Sequence, residues 1–289
     1  MVNMDLYQYP FIPKSFSPGR HRLSYVDEGH GPAVVMAHGN PSWSYLYRNL
    51  ITALCDKYRV IAPDHMGCGL SDKPQHYAYR LKTHIENFER LLDHLQIERC
   101  VLVVHDWGGA IGMGWAGMHP ERIAGLVVLN SAAFPSSRIP LRINLCRLPL
   151  AGALLVRGVN GFAGPATRMA VGNPMDPRVR EGFLAPYTGW RSRVAIHRFI
   201  RDIPMRAGHP SWQTLQRVTA SLDGLREKPM LILWGGRDFC FNRPFYEEWR
   251  RRFPGAEGCY FAQAGHYVLE DVLPEAVRQI TPFVKNCYG

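Results

Sequence analysis

The chain has 289 residues, of which 46% are hydrophobic and 20% are charged, and this composition excludes a largely disordered protein. No apolar run approaches the roughly 20 residues that span a bilayer, and the N-terminal stretch lacks the basic start and apolar core of a secretory signal. The net charge of +10 does not come from basic runs interleaved with aromatic residues, so we do not expect a nucleic-acid partner.

Short β-rich runs alternate with stretches of helical periodicity toward both ends of the chain. We predict strands over residues 22–27, 33–37, 59–62, 100–104, 124–129, 230–234 and 259–261. Helices are predicted between them, over residues 44–56, 81–95, 110–118, 244–253 and 274–285. Continuous apolar strands that alternate with helices are typical of an α/β fold, in which a doubly wound, mostly parallel sheet is covered on both faces.

The region 135–225 interrupts this alternation. It is rich in proline and glycine, contains no convincing strand, and has helical fragments at 141–156 and 191–203. We interpret it as a helical cap inserted between two strands of a core that comprises residues 1–134 and 226–289. Because ligands of parallel α/β sheets bind at the carboxyl ends of the strands, an insertion there is expected to form a lid.

The excess positive charge is confined to this predicted cap. Residues 135–219 contain thirteen Arg, no Lys and three acidic residues, which gives this segment a net charge of +10 and leaves the remainder neutral. One interpretation is a solvated, solubilising face; the other is a surface that attracts an acidic partner, an anionic membrane or an anionic substrate. The apolar and Arg-rich stretch 139–158 is either a lid helix or a surface for self-association.

Cysteine and histidine spacing argues against several kinds of site. The seven cysteines are scattered and form no C-x-x-C pair, which predicts reduced thiols in a cytoplasmic protein. The twelve histidines show no metal-binding spacing, and the chain has neither a phosphate loop nor a dinucleotide-binding glycine pattern. We therefore expect no metal and no nucleotide cofactor.

Asp106 lies between the predicted strand 100–104 and the helix that follows it. Gly108 and Gly109 permit a tight turn of the nucleophile-elbow kind, whose tip side chain projects into the site near a helix N-terminus. Val104 stands where such elbows usually have glycine. Esterases carry serine at the tip, whereas a carboxylate forms an ordinary ester with a saturated carbon, so we expect an alkyl electrophile with a leaving group. Alternatively, Asp106 only caps the helix.

A base and an acid follow in the order expected for such an elbow. His266 lies in QAGHYVLED, after the last predicted strand, and could activate the water that hydrolyses an ester on Asp106. Asp238 follows the strand 230–234 and would orient His266. A lone histidine is more often structural, and Asp238 could instead be a turn residue.

Asn40 and Trp107 offer N–H donors near the tip. Asn40 follows the strand 33–37, from which this architecture supplies an oxyanion donor, and Trp107 directly follows Asp106. Two N–H groups aimed at one point suit a leaving anion that needs no proton, such as a halide. Otherwise Trp107 packs under the lid and Asn40 caps a turn.

Five blocks in this order resemble the haloalkane dehalogenase family of the α/β-hydrolases: HGNPSWSYLYRN, DHMGCGLSDKP, VVHDWGG, WGGRDFCF and AGHYVLED. The resemblance covers the chain outside the cap and implies an α/β-hydrolase fold. It implies Asp106 as nucleophile, His266 as base and Asp238 as acid. It also implies Asn40 and Trp107 as halide-binding residues, a set typical of the third subfamily.

This resemblance implies two reactions. The first is that of a haloalkane dehalogenase, a hydrolase that converts a small apolar halogenated substrate into alcohol and halide through an alkyl-aspartyl ester. The second is that of the β-lactone decarboxylases of bacterial long-chain olefin biosynthesis, which share the same residues. In the second reaction Asp106 opens the lactone, CO₂ is lost, and Asn40 and Trp107 face a carboxylate. We place halogen removal first.

Two neighbouring families and a non-enzymatic role fit less well. Epoxide hydrolases usually donate protons from two lid tyrosines, and the cap contains only Tyr187. Fluoroacetate dehalogenases place Arg after the nucleophile, where this chain has Trp107. If the protein only bound a ligand, the five blocks would be a coincidence or an evolutionary relic. The presence of all three triad residues argues against this.

Overall fold

Eight strands form the centre of the molecule in the computed structural model, which describes residues 6–289. In chain order they are β1 (Lys14–Phe16), β2 (Leu23–Glu28), β3 (Ala33–Ala37), β4 (Arg59–Pro63), β5 (Cys100–Asp106), β6 (Ile123–Ser131), β7 (Met230–Gly235) and β8 (Glu257–Phe261). Across the sheet the order is β1-β2-β4-β3-β5-β6-β7-β8. β2 runs antiparallel to β1 and β4, and the pairs from β4 to β8 are parallel. The predicted α/β fold with a mostly parallel sheet is confirmed.

Helices follow most of the strands. They are α1 (Arg48–Leu54), α2 (Leu81–His94), α3 (Trp107–Met118), α4 (Leu141–Cys146), α5 (Pro149–Ala153), α6 (Ala163–Met169), α7 (Pro177–Leu184), α8 (Val194–Arg201), α9 (Trp212–Ser221), α10 (Arg243–Arg252), α11 (Val268–Asp271) and α12 (Leu273–Tyr288). Among residues 6–289, no helix combines the length and the apolar character needed to cross a membrane.

The central strands are apolar and buried along their whole length, since helices cover both faces of the sheet. β3, β5 and β6 have no exposed position. One apolar cluster joins the sheet to α1 and α12, and a second joins it to α2, α3 and α10. The seven predicted strands are all present, with ends shifted by at most two residues. β1 was not predicted, and α3 begins at Trp107 rather than at residue 110.

Six helices, α4 to α9, lie between β6 and β7 in the region predicted as the cap. The single helical fragment predicted over 141–156 is wrong. Pro149 begins a separate helix, α5, because proline fits the first helical turn but breaks a helix interior. A wider π-helical turn, Leu154–Gly158, follows it. The limits 135–225 stay a prediction.

Candidate active site

Asp106 occupies a sharp turn between β5 and α3. Its backbone has φ 52° and ψ −125°, a conformation that is rare for a residue other than glycine and that persists only when its surroundings enforce it. Ser131 Oγ donates to the Asp106 carbonyl oxygen at 2.5 Å and helps to hold the turn. The side chain makes no capping hydrogen bond at the start of α3, so helix capping does not account for it.

Two glycines make room for this turn. A Cβ atom at Gly108 would lie 1.9 Å from the carbonyl oxygen of Ala37, so only glycine lets α3 approach β3 this closely. A Cβ atom at Gly39 would lie 2.0 Å from Oδ1 of Asp106. The loop after β3 is therefore packed directly against the carboxylate.

Backbone amides hold the Asp106 carboxylate. The N–H of Asn40 donates to Oδ1 at 2.6 Å, and the N–H of Trp107 also favours the charged form. Burial raises the pKa of Asp106 above its ordinary value, while His266 and the two amides oppose that rise. The Asn40 amide engages Oδ1, whereas Oδ2 is the oxygen that lies toward Nε2 of His266.

His266 lies between two carboxylates. Its Nδ1 is 2.7 Å from Oδ2 of Asp238, and its Nε2 is 3.7 Å from Oδ2 of Asp106. Burial alone would lower the pKa of His266, but the charges of Asp238 and Asp106 outweigh burial and raise it. Burial would likewise raise the pKa of Asp238, which His266 and two backbone amides hold below its usual value. The structure thus brings together all three residues of the predicted triad.

Three supporting residues were not predicted. Asn130 donates to Oδ2 of Asp238 at 2.9 Å and exchanges two hydrogen bonds with the backbone of Gly235. The Phe241 ring stacks on the imidazole of His266, with centroids 5.6 Å apart. Nε2 of His105 lies 2.9 Å from the carbonyl oxygen of His266. The sequence gives one signal for Asn130, a polar side chain at the end of an otherwise apolar strand.

Asn40 and Trp107 lie at the same end of the cavity as Asp106. Nδ2 of Asn40 donates to the carbonyl oxygen of Ile196 at 3.3 Å, which leaves the second amide hydrogen free for a ligand. The Trp107 ring packs edge-on against Phe199 of α8, with centroids 5.4 Å apart. Both residues line the cavity beside Asp106, and their halide-binding role stays a prediction.

The cavity above Asp106 has a volume of about 530 Å³. The predicted core and the predicted cap both contribute to its lining, the former with Phe134 and Phe245 and the latter with Ile143 and Phe162. Its charged lining residues are Asp106, His266, Arg138 and Arg142, and most of the other lining residues are apolar. This arrangement suits an apolar substrate whose single polar group reacts at the carboxylate.

Comparison with known proteins places the chain in a family. Residues 32–147 match the model of the alpha/beta hydrolase fold. The chain is 45% identical over 282 residues to a cis-3-alkyl-4-alkyloxetan-2-one decarboxylase of Shewanella oneidensis, with 95% of this chain and 89% of the relative covered. A protein of the same name from Xanthomonas campestris is 42% identical, with 93% and 96% covered.

Haloalkane dehalogenases are also similar. Haloalkane dehalogenase 2 of Mycobacterium tuberculosis is 31% identical over 273 residues, which cover 92% of this chain and 93% of that protein. The crystal structure of a putative ancestral haloalkane dehalogenase superposes with a TM-score of 0.87 at 25% identity, over 95% of this chain and 99% of that one. The chain therefore belongs to the α/β-hydrolases, in the group that holds the haloalkane dehalogenases and the cis-3-alkyl-4-alkyloxetan-2-one decarboxylases.

Proposed function

We propose that the protein opens the four-membered ring of a cis-3-alkyl-4-alkyloxetan-2-one, a β-lactone, and releases an alkene and CO₂. The main support for this proposal is the 45% identity, over 95% of the chain, to a relative named for this activity. Identities to two haloalkane dehalogenases are 31% and 34%. We therefore rank lactone decarboxylation above halogen removal, the reverse of the ranking inferred from the sequence.

The cavity supports this choice. A substrate with two alkyl branches needs a large apolar space, and the cavity of about 530 Å³ offers one between cap and core. Moving hydrocarbon from water into such a space is favourable. The charged residues of its lining are Asp106 and His266 and the exposed Arg138 and Arg142. Binding energy from the alkyl branches can thus hold the ring against Asp106.

The first step is an in-line displacement. A carboxylate oxygen of Asp106 attacks the saturated ring carbon that bears the ring oxygen. A carbon–oxygen bond forms, the bond to the ring oxygen breaks, and its electron pair stays on that oxygen. The product is an alkyl ester of Asp106 that carries a free carboxylate. In this proposal the side-chain N–H groups of Asn40 and Trp107 stabilise this new anion.

The second step is a fragmentation. The bond between the carboxylate and its carbon breaks, CO₂ leaves, and the electron pair forms the carbon–carbon double bond. The ester bond to Asp106 breaks at the same time and restores its carboxylate. No proton or water is consumed. In-line attack inverts the attacked carbon, so the new bond to Asp106 is antiperiplanar to the bond that releases CO₂. Loss of both groups from this arrangement converts a cis-lactone into a cis-alkene.

His266 acts as a countercharge in this scheme. An imidazole whose pKa is raised is protonated over a wider pH range, and in that form it takes no proton from water. In its protonated form the imidazole, with Nε2 3.7 Å from Oδ2 of Asp106, stabilises this carboxylate when the ester breaks. Hydrolysis of the ester to a hydroxy acid is thereby disfavoured.

Halogen removal is the second candidate. The observation that favours it is the placement of Asn40 and Trp107, whose N–H groups suit a departing halide as well as a carboxylate. In this reaction neutral His266 activates water, which attacks the carbonyl carbon of the Asp106 ester. An oxygen atom from water then remains on Asp106 after a single turnover.

One experiment separates the two reactions. Purified protein, in excess over substrate, is given a long-chain cis-β-lactone or 1,2-dibromoethane in heavy-oxygen water. We expect cis-alkene and an equal amount of CO₂ from the lactone, with no heavy oxygen in the peptide that contains Asp106. Bromide release without alkene formation would reject the proposal and favour halogen removal. Asp106→Ala should abolish turnover, and Asp223→Ala, at an exposed position, is its matched control.

A further inference from the structure

The outer face of the cap carries large, solvent-exposed apolar side chains. Six residues between 141 and 159, each between 48% and 82% exposed, form what we name the leucine surface: Leu141, Leu145, Leu148, Leu150, Leu154 and Val159. The opposite face of the same segment, with Ile143 and Val156, is already buried. A segment that is apolar on both faces is normally covered on both, so the outer face lacks its cover.

A basic groove adjoins the leucine surface. Its volume is about 790 Å³, and its lining includes Arg147, Arg198 and Arg201. Leu145 and Leu148 also line this groove, so the apolar and basic features are continuous. Among residues 6–289, Arg178 is the one arginine between 135 and 219 that lies in an ion pair with a residue of the same region.

Among residues 6–289, no acidic side chain lines this groove. The pKa of His197, buried on α8, is lowered to about 4 by burial and, next, by Arg201 and Arg198. Burial, and then the neighbouring Arg206, also lowers the pKa of Arg147. A symmetric contact with a second copy would bring these arginines face to face, which like-charge repulsion opposes.

We propose that the leucine surface and the basic groove dock the cap on an anionic lipid bilayer. Arginines bind the anionic headgroups, and the protruding leucines enter the boundary with the acyl chains, as in other interfacial helices. The inference about substrate delivery rests on the proposed function. α4 lines the active-site cavity with Ile143 and Cys146 and presents Leu141 outward, so a long-chain lactone dissolved in lipid would enter beside it.

Vesicle sedimentation tests the docking without any assay of turnover. Wild-type protein is mixed with vesicles of phosphatidylcholine alone or with phosphatidylglycerol added, at low and high salt. We expect binding to the anionic vesicles at low salt, and its loss in high salt or on neutral vesicles. Leu150→Ser with Leu154→Ser lowers the partition coefficient by at least about tenfold. Arg198→Glu with Arg201→Glu lowers it by at least about twentyfold.

Two surface changes outside the cap are the matched controls. Ile12 is 80% exposed, as Leu150 is 82% exposed, so Ile12→Ser should leave binding unchanged. Arg20→Glu is the corresponding control for charge. Absence of binding to anionic vesicles at low salt, or an equal loss in the controls, would overturn the proposal. The proposal would also be overturned if wild-type protein did not bind vesicles but formed a dimer, or a complex with an acidic protein, that the leucine substitutions dissociate.

Discussion

Nε2 of His266 lies 3.7 Å from Oδ2 of Asp106, inside a cavity that buries both side chains. The two groups are held there by different parts of the chain: the elbow after β5 fixes the carboxylate, and Asp238 fixes the imidazole. At this separation each charge stabilises the other in a medium less polar than water. The protonation of the pair should therefore govern the proposed reaction.

The first prediction concerns pH. Attack requires ionised Asp106, whose pKa is raised by burial, so kcat/KM for the lactone should fall as pH decreases through a value above that of an ordinary Asp. His266→Phe removes the cation that lowers this pKa. Its acid limb should therefore move to higher pH, with alkene still formed because His266 transfers no proton. An unmoved limb would contradict this pairing, and His30→Phe, at an exposed site, is the control.

The second prediction concerns the loop behind the carboxylate. Gly39→Ala puts a methyl group where Oδ1 of Asp106 lies, so the carboxylate must move. A displacement of this size should lower kcat by about 10²-fold while the fold persists. Gly189→Ala adds a methyl group with nothing within 4 Å and should leave the rate unchanged. Equal rates in the two variants would show that the loop does not position Asp106.

The third prediction concerns stability. The Arg48 side chain is 1% exposed and donates to both carboxylate oxygens of Glu270, at 2.6 and 2.9 Å. Glu270→Gln leaves this guanidinium buried without its counterion and should cost about 3 kcal/mol in urea unfolding. The exposed pair of Glu275 with Arg278 is the comparison, and Glu275→Gln should cost less than about 1 kcal/mol. Similar losses in both would refute the assignment.

The core of this fold was predictable because its strands are continuous apolar runs with glycine-containing turns. Every predicted strand is present, and Asp106, Asp238 and His266 each follow one of them. β1 was missed because KSF is short and exposed. The cap was harder, since Pro149 divides a stretch whose apolar pattern otherwise continues.

Site residues were predictable from sequence only where the neighbouring residues form a recognisable motif. Asn130 is 108 positions from Asp238 in the chain, and only the pairing of β6 with β7 brings them together. The stacking of Phe241 on His266 likewise depends on the loops after β7 and β8. Neither contact has a spacing that a sequence pattern reveals.

The most direct test of the central claim, covalent attack by Asp106 on a saturated carbon, is a rapid chemical quench of wild-type protein in excess over a long-chain cis-β-lactone. Peptide mass spectrometry should find a transient adduct of the whole lactone on Asp106, which decays as cis-alkene and CO₂ appear. Alkene formation without any adduct, or an adduct on a different residue, would contradict the account.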